Sequence, residues 1–203
     1  MSLSARMILV LTLVGLISGG FLAGVAKLTK ERIALNVQAE IEEAIDEVVD
    51  DAEVDMLVYE EEDFVIYKEL DDEGRLAGLA IQATGVGFQD KITLMFGLDA
   101  SLEEITGLTI IDQSETPGLG AKIEDWEDFL QFWENRDARG LLTLRKPPVK
   151  TIGELLPTEI NTITAATISS KKVLEIVNLS LERLKELIKQ EKISVDVEEE
   201  DGN

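Results

Sequence analysis

The chain has 203 residues and a formal net charge of −22, and it contains neither cysteine nor histidine. These absences exclude disulfides, thiolate or imidazole metal sites, cysteinyl or histidyl cofactor attachment and histidine acid–base catalysis. Redox chemistry would therefore need a borrowed cofactor. The acidic surface disfavours nucleic-acid binding, and it is either simply solvated or a docking face for a basic partner.

The first element is an uncharged apolar run over residues 7–26. Twenty residues at about 1.5 Å each span the hydrocarbon core of a bilayer, so we predict a membrane anchor over residues 1–30. A cleaved signal peptide, with Arg6 as its positively charged n-region and a cleavage site at residues 24–26, is the alternative, although the run is longer than the apolar region of such peptides. Counting lysine and arginine on either side would weakly place the rest of the chain in the cytoplasm.

Helical and then strand patterns follow the anchor. Apolar residues at helical spacing predict a helix over residues 36–50, within a linking region at 31–52. Runs of β-branched and aromatic residues predict strands at 54–60, 64–70, 75–84, 91–99 and 105–112, with a turn at 71–74.

The last third returns to helical spacing. Trp126, Phe129, Phe132 and Trp133 recur at three- and four-residue steps, which predicts one face of a short helix that packs in the core rather than stacking on a cofactor ring. After a break at 146–149, an apolar stripe predicts a long helix over 169–189, and 193–203 form an acidic tail. Strands bracketed by helices predict one α+β domain at 53–192, with a mostly antiparallel sheet packed by helices.

Hydroxyl side chains crowd the start of the long helix: Thr164, Thr167 and Ser169. The N-terminus of a helix offers unpaired amides and a positive dipole end, which together can bind a phosphate. Ordinary helix capping is the alternative, because it prefers the same residue types. Lys171 and Lys172 are unfavourable in a first turn, and a bound anion would explain them.

A glycine-rich segment lies some fifty residues earlier, at 115–120. Gly118 and Gly120 allow the backbone to approach a flat ligand, while Glu115, Thr116 and Leu119 offer an acceptor, a donor and an apolar contact. Alone this pattern is equally typical of a loop. The stretch at 85–88 is similarly ambiguous and is not a dinucleotide fingerprint.

Together the stretches SETPGLGAKI (114–123) and TAATISSKKVLEIV (164–177) resemble the FMN-binding domain of the G subunit of Rnf ion-translocating electron-transport complexes, a relative of the C subunit of sodium-pumping NADH:quinone oxidoreductase. The resemblance implies FMN joined through its phosphate to the Thr167 side chain, in a phosphoester made by a separate flavin transferase. The implied cofactor-binding residues are Thr164, Ala166, Thr167, Ile168 and Ser169 around the phosphate, and Glu115, Thr116 and Leu119, with Gly118 and Gly120 in the same segment, near the isoalloxazine ring.

Two positions depart from the family's usual Asp-x-x-Ser/Thr-Gly-Ala-Thr pattern. Asn161 stands at the aspartate position and Ala165 at the glycine position. Either departure could weaken recognition by the flavin transferase or reflect a variant transferase. The resemblance therefore implies that Asn161→Asp and Ala165→Gly raise flavin occupancy.

The resemblance also implies an electron carrier within a membrane complex that moves electrons between ferredoxin and NAD and couples this to sodium or proton movement. The partners would be the other flavin and iron–sulfur subunits, and the chain itself would supply no catalytic residue and no metal site. The soluble domain would lie on the extracytoplasmic side of the cytoplasmic membrane, opposite to the charge count. A flavin-free accessory or assembly module and a secreted ligand-binding domain are the alternatives.

Overall fold

The computed structural model describes residues 2–49 and 54–194 of the chain. Two compact units divide it, residues 1–42 and residues 43–203. Most of the predicted acidic tail, from residue 195 onward, lies outside the described residues.

The first helix, α1, is continuous over Leu3–Val48. It is long and apolar enough to cross a membrane by length and composition, and its most apolar window has a mean hydropathy of 2.3 with no residue buried inside the protein. The helix predicted at 36–50 is the last part of α1 rather than a separate element. Residues 27–36 contain no glycine or proline, so nothing in the sequence interrupts the helix there. The predicted domain boundaries stay predictions.

The sheet carries the predicted strands. The strands of the described residues are β1 (Val54–Glu61), β2 (Phe64–Leu70), β3 (Leu76–Val86), β4 (Lys91–Asp99), β5 (Glu104–Gln113), β6 (Arg136–Asp137), β7 (Thr143–Arg145) and β8 (Glu159–Asn161). The first six form one antiparallel sheet in sequential order, and β7 and β8 form a separate parallel pair. The five strands predicted from runs of β-branched and aromatic residues are confirmed to within two residues at each end.

One face of the sheet packs against the second helix, α2, which spans Thr167–Lys189. Leu79 and Ile81 of β3 are fully buried in the same cluster as Val173 and Val177 of α2. Because side chains alternate along a strand, these odd-numbered residues of β3 all point to the α2 side. The predicted long helix and the α+β class, with a mostly antiparallel sheet packed by helices, are confirmed.

The aromatic segment differs from the prediction. A turn at residues 126–129 and a short 3-10 helix, Leu130–Trp133, replace the single predicted helix, and another 3-10 helix, Gly120–Glu124, precedes them. Phe129 and Trp133 are buried, with ring centroids 5.8 Å apart in an edge-to-face arrangement, whereas Trp126 is 54% exposed. Phe132 is buried too, so three of the four aromatic residues are core residues. Their three- and four-residue spacing is compatible with a turn and a 3-10 helix as well as with an α-helix.

The opposite face of the sheet receives the end of α1. Ala80, Gly97 and Gly107 lie side by side on β3, β4 and β5. A Cβ atom on Gly97 would lie 2.0 Å from the carbonyl oxygen of Val48, so only a glycine allows the helix end to approach this closely. The hydroxyl of Thr106 also donates a hydrogen bond to that carbonyl. Small residues thus form the surface against which Ala44, Ile45, Val48 and Val49 are buried.

Glu69 is a buried carboxyl group on β2, where it pairs across the sheet with Asp55 of β1. Within the described residues neither of its side-chain oxygens has a hydrogen-bond partner. Burial, the proximity of Asp55 and the negative charge of Asp46 raise the pKa of Glu69 from its ordinary value of 4.5 to about 9. Glu69 is therefore protonated in the folded protein at neutral pH.

This raised pKa makes stability fall as the pH rises. The folded protein holds the Glu69 proton between pH 4.5 and about 9 while the unfolded chain releases it, so the free energy of unfolding declines by about 1.4 kcal/mol per pH unit across that window. We expect Glu69→Gln to remove this slope, so that the variant becomes increasingly more stable than the wild type from pH 5 to pH 9.

Urea unfolding of the full chain in detergent at several pH values measures the effect. Glu60→Gln, an exposed carboxyl on β1, is the matched control and should change the slope little. Parallel pH profiles for the wild type and Glu69→Gln would contradict the prediction.

Candidate functional site

A cavity of about 320 Å³ opens at the N-terminus of α2, a volume within the range of small-molecule sites. Three chain segments form its walls: the loop after β3, the segment after β5 and the first turn of α2. The lining residues are Phe88, Glu115, Thr116, Leu119, Gly120, Ala165, Ala166, Thr167, Ile168 and Ser169.

The fold thus brings together most of the residues that the sequence singled out, although the two motifs lie far apart in the sequence. Two of them lie elsewhere. Thr164 lines a second cavity of about 550 Å³ on the other side of the loop that precedes α2, together with Asn161. Gly118 is exposed at a turn with φ of +74°, a conformation that favours glycine.

The sequence does not predict that Phe88 lines this cavity. The only signal for Phe88 is the glycine-containing stretch at 85–88, which is also typical of an ordinary loop. A phenylalanine carries no chemistry that would mark it as a ligand contact, so its place in the cavity follows from tertiary structure alone. Ala165 also lines the cavity, and it lies within the stretch 164–169 that the resemblance places around the phosphate.

Among the described residues no side chain caps the N-terminus of α2, where Ala166 is the N-cap residue and Thr167 the first helical residue. The nearby hydroxyls bond elsewhere: Ser169 donates to Glu115 at 2.7 Å, and Ser170 donates to the carbonyl of Ala166 at 3.1 Å. Capping therefore does not explain these residues. The amides of the first turn keep the capacity to bind an anion.

The two lysines of the first turn are paired within α2. Lys171 and Lys172 place their Nζ atoms 3.1 and 3.0 Å from the two carboxylate oxygens of Glu175. Hydrogen bonds from Lys172 and Lys171 lower the pKa of Glu175. These ion pairs account for both lysines without an anion, so their presence no longer argues for one.

Glu115 lines the cavity and also has a structural role, while its predicted place near the isoalloxazine ring stays a prediction. Only 4% of its surface is exposed, and its carboxylate accepts hydrogen bonds from the backbone amides of Phe88 and Gln89 and from the hydroxyl of Ser169. Thr116 accepts a hydrogen bond from the side-chain amide of Gln89. Both residues are therefore engaged in holding the walls of the cavity.

The cavity combines apolar and polar surface in a way that suits FMN. Phe88, Leu119 and Ile168 line it, yet each remains about half exposed, at 59%, 47% and 52%. They form an apolar rim that a flat aromatic ring can cover. The uncapped start of α2 and the hydroxyl of Thr167 lie in the same cavity and suit a phosphate. The residues present thus fit both ends of the cofactor.

Asn161, at the first departure from the family pattern, has a structural role. Its side-chain oxygen accepts from the Val149 amide at 2.9 Å, and its Nδ2 donates to the Val149 carbonyl at 3.0 Å. The residue is buried, at 3% exposure. An aspartate would direct a carboxylate oxygen at the Val149 carbonyl with no proton to donate, which is costly in a buried place.

Ala165, at the second departure, has a φ of +67°. This is the left-handed region, where a Cβ atom costs about 1 kcal/mol and glycine is free of that cost. We expect Ala165→Gly to raise the free energy of unfolding by up to about 1 kcal/mol and to raise flavin occupancy. Urea unfolding and the ratio of flavin to protein absorbance measure the two effects.

Two comparison variants sharpen this test. Ala121→Gly removes the same methyl group from a 3-10 turn with ordinary backbone angles and should lower stability. Asn161→Asp should lower stability as well, because it disturbs the hydrogen bonds to Val149. We therefore expect higher flavin occupancy from Ala165→Gly but not from Asn161→Asp. A destabilising Ala165→Gly would contradict this account.

Sequence comparison identifies the domain around this cavity. The family model described as "FMN-binding domain" matches residues 87–182, which include all the lining residues. The chain is 33% identical over 116 residues to the G subunit of the ion-translocating oxidoreductase complex of Methanosarcina acetivorans, covering 57% of this chain and 56% of that protein. It is 38% identical over 104 residues to the G subunit of the Na(+)-translocating ferredoxin:NAD(+) oxidoreductase complex of Acetobacterium woodii, covering 51% and 46%. The chain spans about half the length of the curated relatives it matches.

Solved structures share the fold. Shewanella oneidensis NqrC superposes with a TM-score of 0.52 and 20% identity, over 60% of this chain and 61% of that one. The C subunit of the Na(+)-translocating NADH-quinone reductase from Parabacteroides distasonis gives 0.51 and 20%, over 70% and 79%. The resemblance seen in the sequence is confirmed: residues 87–182 match the FMN-binding domain family, and the chain is similar to the G subunits of ion-translocating oxidoreductase complexes.

Proposed function

We propose that the chain is a membrane-anchored flavoprotein electron carrier, with FMN attached by a phosphoester to Thr167, in a complex that transfers electrons between ferredoxin and NAD and couples this to Na⁺ or H⁺ translocation. The observation that carries the proposal is the cavity in which the Thr167 hydroxyl, the uncapped start of α2 and an apolar rim converge. The names of the two curated relatives support the assignment to such a complex.

In this proposal each part of the cavity has a task. The first-turn amides and dipole of α2 stabilise the phosphate, and the Thr167 oxygen forms the covalent bond to it. Phe88, Leu119 and Ile168 would supply apolar contacts to the ring. When bound, FMN supplies reversible one- and two-electron transfer, which no side chain of this protein can provide.

The proposal includes an anchor at residues 1–30, a linking region at 31–52 and the FMN-binding domain at 53–192. A single membrane span would hold the domain on the extracytoplasmic side of the cytoplasmic membrane. The partners are the flavin and iron–sulfur subunits of the complex, and a flavin transferase acts in maturation. The candidate span of α1 and the similarity to proteins of such complexes support membrane association.

The test is to purify the full chain after expression with the flavin transferase of its own host. A band that fluoresces on a denaturing gel, heavier than the chain by one FMN less water, is the expected result. A dark band of unmodified mass would favour the flavin-free accessory module, an alternative motivated by the two departures from the flavinylation pattern at Asn161 and Ala165.

A further inference from the structure

The carboxylate of Glu115 is held by three donors from two distant segments. Its Oε1 accepts the amides of Phe88 at 2.6 Å and Gln89 at 3.1 Å, and its Oε2 accepts the hydroxyl of Ser169 at 2.7 Å. All three partners donate, which is the pattern that an ionised carboxylate satisfies. Glu115 thereby links the loop after β3, the segment after β5 and the first turn of α2.

Glycines enclose this carboxylate on both sides. A Cβ atom on Gly87 would lie 2.6 Å from Oε1 of Glu115, and a Cβ atom on Gly120 would lie 2.5 Å from Oε2. Any larger residue at either position would displace the carboxylate or its partners. The backbone is therefore shaped around Glu115, although sequence reasoning assigned Gly120 to close approach of the ligand.

The three linked segments are also the three walls of the flavin cavity. Phe88 and Ser169, at the two ends of the Glu115 hydrogen bonds, both line it, as do Leu119 and Ile168. The position of the apolar rim relative to Thr167 hence depends on hydrogen bonds that converge on one buried side chain.

We infer that Glu115 is a positioning residue of the flavin site: it fixes the three cavity walls and places a carboxylate that accepts three hydrogen bonds beside the bound flavin. The inference rests on the proposed function of the cavity. A buried charge is poorly screened, and a negative one opposes the addition of electrons to a nearby ring. Glu115 thus lowers the reduction potential of the flavin without needing to contact it.

Glu115→Gln separates the charge from the hydrogen bonds. The amide oxygen can still accept from Phe88 and Gln89, and the amide nitrogen can donate to the Ser169 oxygen, so the walls stay in place. We expect flavin content close to that of the wild type and a midpoint potential shifted to a more positive value. Glu124→Gln, an exposed residue with the same change in net charge, is the control. A Glu115→Gln potential equal to that of the wild type would overturn the effect of the charge.

Glu115→Ala tests the hydrogen bonds without requiring flavin. Hydrogen–deuterium exchange of the flavin-free full chain should show the Phe88 and Gln89 amides exchanging at least tenfold faster in Glu115→Ala, and near the wild-type rate in Glu115→Gln. Unchanged protection in Glu115→Ala would overturn the positioning role. A wild-type chain that binds no flavin would overturn the proposed function and, with it, the effect of Glu115 on the flavin midpoint potential. Amide exchange would still decide whether the Glu115 hydrogen bonds hold the cavity walls.

Discussion

Replacing Thr167 by alanine is expected to abolish covalently held flavin and to leave the fold intact. Thr167 is half buried at the first position of α2, and its hydroxyl makes no hydrogen bond within the described part of the chain. The substitution therefore removes no structural contact of the hydroxyl, and alanine is a good helix former, so stability should change by less than about 0.5 kcal/mol. In-gel fluorescence and intact mass measure the attached flavin, and circular dichroism measures the fold.

Thr164→Ala is the matched control because it removes the same hydroxyl three residues away, from the neighbouring cavity. It should retain the attached flavin, and Thr167→Ser should retain part of it because a hydroxyl remains. Thr167 is not the attachment site if flavin stays bound to the denatured Thr167→Ala variant. The same conclusion follows if Thr164→Ala loses the flavin while Thr167→Ala keeps it.

Gly97→Ala should produce the largest loss of stability, about 3 kcal/mol, by forcing the end of α1 away from the sheet. The new Cβ atom would lie 2.0 Å from the Val48 carbonyl oxygen and 2.3 Å from the Thr106 hydroxyl, which donates to that same carbonyl. Because the Thr106 hydroxyl and the Val48 carbonyl are joined by a hydrogen bond, neither group can move away from the new Cβ atom without breaking that bond. Ile45 and Val48, which are buried here, would become partly exposed.

Urea unfolding followed by tryptophan fluorescence reads the change, because Trp133 is fully buried in the core. Gly107→Ala is the control, as it lies beside Gly97 in the same cross-strand row but its Cβ atom would come no nearer than 3.4 Å to any atom of α1. It should cost much less. Equal losses in the two variants would mean that the close approach at Val48 is not what requires glycine.

The flavin site was only partly predictable from its two motifs. Their residue types and the helix start identified Thr167 and Leu119, which line the same cavity. The roles of Glu115 and Asn161 were not predictable, because each depends on a partner that a local pattern cannot reveal: Ser169, which lies 54 positions from Glu115, and the backbone of Val149.

The sequence by itself determined the elements whose pattern is local. The apolar stripe of α2 reports burial at a spacing of 3.6 residues, and the runs of β-branched and aromatic residues in β2 to β5 favour strands; neither signal needs knowledge of the partner element. Tertiary structure alone decided which elements meet: the packing of Val48 on Gly97, the exposure of Trp126 and the closure of three segments around Glu115. The physical reason is that such contacts depend on strand register and on how distant segments pack together. They join residues far apart in the sequence and produce no periodic pattern of residue types within either segment.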